Sequence, residues 1–566
     1  MQDTRASFRD EAGHWRDVLA TDDPPLGARP LDPAVDTAAT VSSLTVALPP
    51  DTSAALLSAV PAAMHGGVND MLLTGFAVAL ARWRRTHGRG GGSAVLLSLE
   101  GHGRDGELAG GADLSRTVGW FTAIHPVRLD PGPLSWDEVM AAGPGLADAA
   151  KAVKEQLRAV PRNGLGHGVL RHLDGLDLPR PPQILFNYLG RFAAGGSTLR
   201  EGVHPDNPAM GLEINALAQD GPDGTTFTAT LSWPSGVMPA EDVAELAELW
   251  TAALTALTRC AELAGHTPSD FPLVKLTQRD VDRFAGARDI LPLLPLQQGM
   301  YFHASFGASH TDTYVVQQVA ELSGPVDRAA LRRAVTATVH RHDALRASFR
   351  ELADGRVVQV IAETVEVPWR EADLSGLPAE EARARLAELT AAELAEPFDL
   401  AAAPLVRYTL VSLGDADHRL VETMHHIVAD GWSYPLVFGD IAESYERGRA
   451  LPAPAGDVPR PRGGGGRARP GCRPRRVGRR ADRCLPDPPV RRRVRGVQAR
   501  RRAPGPARRR GRRGGPRARG DAEHVRARGV GGWCWAGCSG ARTWSSAPRC
   551  RGAAGACPAS RRSSAC

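Results

Sequence analysis

The sequence predicts an α/β fold in two successive units, and three observations predict it. Strand-like stretches, either alternating or continuously apolar, recur between segments whose apolar residues fall at helical spacing, the mark of sheets covered by helices. A proline-broken connector, His266 to Leu273, and a linker running to about Ala285 divide the body in two. The composition then changes near Asp457, after which the chain has no Lys, Ile, Phe, Tyr, Met or Asn, a single Leu485, and about 30 arginines against about 5 acids. That stretch, 457–566, is expected to be a disordered Arg/Gly/Pro-rich tail.

Charge and cysteine follow the same division. The chain carries +6 overall; removing the tail's excess of roughly +26 leaves about −20 for the body. An acidic body gives no electrostatic reason to expect nucleic acid. Cys260 is alone in the body and the other seven cysteines lie from Cys472 to Cys566, a usage that fits a reducing, cytoplasmic compartment. Cys534 and Cys538 lack partners at zinc spacing. The start is charged, and no apolar run approaches membrane-spanning length.

In chain order, Ala6 to Leu19 reads as a short amphipathic helix, Asp22 to Asp36 as a connector and Ser43 to Leu48 as a strand. Asn69 or Asp70 caps a long apolar helix from Met71 to Trp83. Ala94 to Leu99 reads as a strand buried on both faces, ending at Glu100. Val243, Leu246, Leu249, Trp250, Leu254 and Leu257 mark another helix. In the second unit, Thr313 to Leu322, Ala344 to Phe349 and Arg356 to Ile361 read as strands, and Leu331, Val335 and Val339 as one face of a helix. His418 to Met424 is a strand, and Tyr434 to Tyr445 a helix with Leu436, Phe438, Ile441 and Tyr445 on its apolar side.

Two stretches carry chemistry. Glu100-Gly101-His102-Gly103-Arg104-Asp105 sets a carboxylate at a strand end, either a reacting group or one paired with Arg104 or Arg116. His425-His426-Ile427-Val428-Ala429-Asp430-Gly431-Trp432-Ser433 puts two histidines on a strand-to-helix loop, where a rigid scaffold presents reactive side chains. In it Asp430 reads as a structural partner for Arg346 or Arg407, and Gly431 as the residue that lets the chain turn sharply into the helix.

Glu100 to Asp105, Ser115-Arg116-Thr117-Val118-Gly119-Trp120-Phe121-Thr122, Asn163-Gly164-Leu165-Gly166-His167-Gly168 and Phe186-Asn187-Tyr188-Leu189-Gly190-Arg191 succeed one another in a specific order. They resemble the second lobe of an epimerization domain of nonribosomal peptide synthetases, with Asp105 and His167 where Glu and Tyr are usual. Asp289-Ile290-Leu291-Pro292-Leu293-Leu294-Pro295-Leu296-Gln297-Gln298-Gly299-Met300, Arg341-His342-Asp343-Ala344-Leu345-Arg346, Pro397-Phe398-Asp399-Leu400 and the histidine stretch resemble the first lobe of a condensation domain. The resemblance implies two lobes of the chloramphenicol-acetyltransferase-like fold, at 1–285 and 286–456. The epimerization domain's own first lobe would precede Met1.

The resemblance also implies a chemistry. An acceptor aminoacyl thioester attacks a donor peptidyl thioester, D-configured where an epimerization domain comes before. Both substrates ride on phosphopantetheine arms of partner carrier domains, beside neighbouring synthetase modules, with no cofactor bound directly. His426 would orient the amine or take its proton, with His425, Asp430 and Gly431 supporting it, and Glu100 would be an acid/base group of epimerization. Two other readings stand beside this: an inactive remnant that only docks carriers, and a coenzyme A-dependent acyltransferase using the related His-x-x-x-Asp site. The tail likewise has two readings. Trp533-Cys534-Trp535-Ala536, re-read from each third base, gives Val-Leu-Gly, so a frame change near Gly456 would explain it; an Arg/Gly arm for nucleic acid is the other.

Overall fold

The computed structural model describes residues 8–90, 92–104, 112–193, 208, 210–261, 265–306 and 312–452. Asp105 and the tail from 457 lie outside the described residues. Strands and helices alternate through both units, so the α/β expectation holds.

The first unit is built on a six-stranded sheet in the order β1-β6-β5-β4-β2-β3. Its strands are β1 (Val41–Ala47), β2 (Val95–Gly101), β3 (Ala123–Leu129), β4 (Ile184–Phe192), β5 (Leu212–Gly221) and β6 (Gly224–Pro234). Strand β4 runs parallel to both β2 and β5; the other pairs are antiparallel. Helix α1 (Ala12–Leu19) opens the chain, and α2 (Val68–Thr86), α3 (Pro144–Arg158) and α4 (Ala240–Leu257) supply the main apolar core with the sheet. At its centre Trp250 meets Phe76, Phe186 and Phe227 edge-on, at 5.6, 5.9 and 6.0 Å, and its indole N–H donates to the Leu72 carbonyl at 3.1 Å. Edge-to-face packing of this kind adds to the apolar burial.

Helix α2 starts earlier than its apolar run suggests. Its cap is Gly67, and Asp70 acts from inside the first turn, its Oδ2 accepting the Gly67 amide at 2.7 Å. Arg158 clamps the same carboxylate, so the charge is spent on tying α3 to α2 as well as on the cap.

The second unit holds a three-stranded sheet, β7-β10-β9, and a four-stranded one, β11-β12-β13-β8. The first comprises β7 (Ala287–Pro292), β9 (Ala347–Glu351) and β10 (Val357–Ala362). The second comprises β8 (Val315–Ser323), β11 (Trp369–Asp373), β12 (Val406–Gly414) and β13 (Asp417–His425). Its helices are α5 (Pro295–Phe306), α6 (Arg328–Arg341), α7 (Ala379–Ala395) and α8 (Ser433–Arg447). Leu331, Val335 and Val339 are buried as their spacing predicts. Helix α8 buries Tyr434, Val437, Ile441 and Ser444, whereas Leu436 is exposed. The stripe is rotated because Tyr434 turns inward at the first turn. Ala344 to Arg346 form a single 3-10 turn before β9 rather than strand.

Between the units the connector is packed, not open. Phe271, Val274, Leu276, Val281 and Phe284 form one apolar cluster with Ile290, Leu352, Val358 and Val360 of the second unit. On the other side Asp270 receives the buried Lys154 ammonium at 2.8 Å. No described helix is long and apolar enough to cross a membrane.

Candidate active site

Strand β13 delivers the histidine loop. It is the inner neighbour of β12 and β8, and its last residue, His425, still pairs with Val315. Backbone bonds then pin the loop on both sides: the His425 amide donates to Leu405 O at 3.0 Å and the His426 amide to Tyr314 O at 2.8 Å. Gln297 of α5 reaches across, its Nε2 donating to the Ile427 carbonyl at 3.0 Å.

The two rings are held in opposite ways. His425 is fully buried; its Nδ1 accepts the Ile427 amide at 3.1 Å, so the ring proton sits on Nε2, 2.9 Å from Asp312 Oδ2. Burial pushes the Asp312 carboxyl up, but the His425 ring N–H and the Tyr314 amide outweigh it and hold it below the ordinary range. His426 is half-buried, and its Nδ1 lies 2.6 Å from the Ala429 carbonyl. A carbonyl only accepts, so Nδ1 carries a proton, and in the neutral ring the lone pair is on Nε2. Among the described residues nothing bonds to that Nε2. His425 is therefore the buried anchor, and His426 the ring that leaves one nitrogen unbonded among the described residues.

Asp430 and Gly431 depart from expectation. Asp430 is exposed and pairs with no arginine among the described residues; its Oδ1 accepts from the Ser433 hydroxyl at 2.7 Å and the Trp432 and Ser433 amides at 3.1 and 3.0 Å. These bonds, the Ser433 hydroxyl first, lower its pKa. Arg346 is instead buried against Asp343 and the carbonyls of Ala362 and Glu363. Arg407 bonds the carbonyls of Glu393 and Glu396, with its guanidinium 4.2 Å from the Phe398 ring centre. Gly431 is not among the glycines with positive φ; the turn into α8 is closed by the Asp430 carboxylate.

Beneath the loop lies a polar group that alternation along β13 could have flagged. Glu422 faces the helices with Leu420 and Met424 and is fully buried. The Tyr408 hydroxyl donates to its Oε1 at 2.6 Å, while Oε2 and the Tyr434 hydroxyl have no partner among the described residues. Burial raises the Glu422 carboxyl to about 7, against the lowering effect of the Tyr408 bond. Asp312 had no such signal, being 113 residues from His425 in sequence.

Glu100 sits elsewhere, at the end of β2 as expected, one residue before the strand stops at Gly101. Register places it beside Asn187 of β4, then Asn215 of β5, Thr230 of β6 and Thr45 of β1. Asn187 Nδ2 donates to Asn215 Oδ1 at 3.2 Å, and the Thr45 and Thr230 hydroxyls lie 3.0 Å apart. One polar row thus crosses the sheet. Glu100 makes no hydrogen bond or ion pair with a described residue; Arg104 bonds Thr117 O at 3.2 Å and stacks on Phe121 instead. Burial first, and the Glu213 charge second, raise its pKa. His425, His426, Asp430 and Gly431 share one loop, while Glu100 belongs to another sheet and touches none of them.

The condensation-domain family model matches residues 2–194 and 287–457, more than half of the chain. The chain belongs to the condensation-domain family. It is 33% identical over 463 residues to a linear gramicidin synthase of Brevibacillus parabrevis, an alignment covering 78% of this chain and 9% of that protein. With chondramide synthase of Chondromyces crocatus it shares 33% over 518 residues, 79% of this chain and 12% of that protein. The condensation-family chain therefore spans a small part of either relative. Among solved structures it is similar to the epimerization domain from the third module of tyrocidine synthetase B, at 26% identity and TM-score 0.38 over 46% of this chain and 57% of that one. The family match and these relatives identify a condensation-type stretch of a nonribosomal peptide synthetase.

Proposed function

We propose that residues 286–456 act as the first lobe of a condensation domain and residues 1–285 as the second lobe of an epimerization domain. The histidine loop serves amide formation between a donor peptidyl thioester, D-configured, and an acceptor aminoacyl thioester. Both arrive on phosphopantetheine arms of carrier domains in neighbouring modules. The observation that carries this reading is the His426 ring, fixed by Ala429 with a free Nε2 lone pair at the loop.

The chemistry asks little more of the protein. An α-amine has a pKa of about 7.7 to 8.0, so a usable fraction is neutral near pH 7. Holding amine and thioester in attack geometry can supply several kcal/mol, up to roughly 7 to 11 in the best cases. The amine lone pair adds to the thioester carbonyl, His426 Nε2 takes the ammonium proton, and the tetrahedral intermediate collapses with loss of the pantetheine thiolate. His425 and Asp430 position the loop and take no proton. Glu100 is the corresponding acid/base group for removing an α-proton, and the burial that raises its pKa makes it a better proton acceptor than an exposed carboxylate.

In the intact synthetase, His426→Ala is expected to cut product formation by at least about 100-fold, read by mass spectrometry of the carrier-bound peptide. Unchanged product ends the catalytic assignment. The remnant reading has one observation of its own: Glu100 and the strand that delivers His426 lie on different sheets, so the two lobes do not combine them into one joint site among the described residues. For the tail, the frame change is favoured because the family match stops at 457, where the composition breaks. Resequencing the coding DNA across codons 445 to 566 tests it.

A further inference from the structure

Away from the histidine loop, the second unit carries a basic hollow of about 620 Å³, lined chiefly by Arg288, Arg332, Arg333, Thr336, Arg341 and Asp343. It lies along the outer side of α6, between the chain's entry into β7 and its exit from α8. Its volume is that of a small-molecule site. No residue of 425–433 lines it.

The charge in the hollow is one-sided. Asp343 is its single acid, and Arg288 lies 3.4 Å from it. Arg341 is engaged with Asp440 at 2.9 Å, beside His342 at 2.7 Å from the same carboxylate. Arg332 and Arg333 are exposed, and neither makes an ion pair or hydrogen bond with a described residue. Helical spacing puts Arg332, Thr336 and His340 on one row and Arg333, Ala337 and Arg341 on the next. Arg332, Arg333 and Thr336 thus border the hollow together with the apolar side chains of Ala337, Ala450 and Leu451.

We propose that this hollow binds a phosphoryl-bearing small group, with the phosphoryl oxygens on Arg332, Arg333 and Thr336 and the less polar part of the ligand on Ala337, Ala450 and Leu451. Guanidinium forks match phosphate oxygens two at a time, and such charge-assisted bonds are stronger than neutral ones. The hollow is open to solvent, and its one-sided charge favours an anionic group. The tail cannot be the occupant, because its own arginines repel those of α6. The phosphoryl group can come from a free nucleotide or from a pantetheine arm.

Hydrogen–deuterium exchange of the full chain tests this at the site itself, so that ions gathered by the tail do not confuse the reading. Peptides spanning 328–341 are followed with millimolar ADP, coenzyme A, adenosine, pantetheine and inorganic phosphate, and with a carrier domain in its phosphopantetheinylated and apo forms. Slower exchange with ADP or coenzyme A but not with adenosine or pantetheine is expected, weakened about tenfold in Arg332→Ala/Arg333→Ala and by high salt. Protection by the phosphopantetheinylated carrier alone also fits and assigns the arm as the source. No protection by any phosphorylated probe, equal protection by adenosine or by the apo carrier, or full protection in the double variant overturns the proposal. Both arginines are exposed, so the variant should fold as the parent does. Because the readout is binding at α6, failure here leaves the role of His426 standing.

Discussion

His425 and His426 are adjacent, yet only one is available for chemistry, and the difference comes from what each ring nitrogen meets. His425 spends both nitrogens on the scaffold. Asp312→Ala leaves its buried Nε2–H without an acceptor and should cost about 1–3 kcal/mol, seen as a lower urea midpoint. Glu422 makes a second residue-scale case. Its carboxyl is raised from 4.5 to about 7 by burial, so the neutral acid is what the fold accepts. That contribution is complete below about pH 4.5 and is lost as pH rises through about 7. A fall on the order of 3 kcal/mol is therefore expected across that window. Glu422→Gln should flatten it, so urea melts of the two proteins at pH 5 and pH 8 should diverge only at pH 8. Parallel curves at both values would sink the argument.

Among the elements, the Asn163 to Gly168 segment explains its own glycines. A Cβ on Gly164 would stand 2.0 Å from His125 Nδ1, at a φ of +80°, and one on Gly166 would stand 1.9 Å from Glu11 Oε2. Gly168 has open space and helical φ/ψ. Gly164→Ala should lower the melting temperature severely while Gly168→Ala leaves it unchanged or slightly higher. The segment reads as a motif in sequence; in the fold it lets the His125, His167 and Trp15 rings pack closely, Trp15 lying 6.1 and 5.3 Å from the two imidazoles. The periodicities of α4 and α6 were legible because each buries one stripe. The partners of Asp430, Arg346 and Arg407 were not. Asp430 bonds Ser433 and the amides just after it, and Arg346 and Arg407 turn chiefly to backbone carbonyls, choices that the spacing of charged residues does not encode. Helix α7 went unread because it buries only Ala382 and Glu393 fully, leaving no apolar stripe to see.

At the scale of the whole molecule, Lys154 and Asp270 fasten the connector to the first unit. Lys154 is buried and also donates to Met64 O at 3.1 Å. Asp270→Ala strands its ammonium away from water and should cost about 3–5 kcal/mol, with faster proteolysis between His266 and Gly286 as the local sign. Fast cleavage in the parent too would show that the connector is not held. The same connector decides where the polypeptide can be divided. A recombinant second unit that starts at residue 286, where the sequence motifs suggest a clean break, would be made without Phe271, Val274, Leu276, Val281 and Phe284. The partners of those side chains on β7, β10 and the turn at Leu352 would then face water as one adhesive surface. A piece that begins at Thr267 keeps them covered, so domain exchange between synthetases at this junction should succeed when the crossover falls before Phe271 and give insoluble protein when it falls after Phe284.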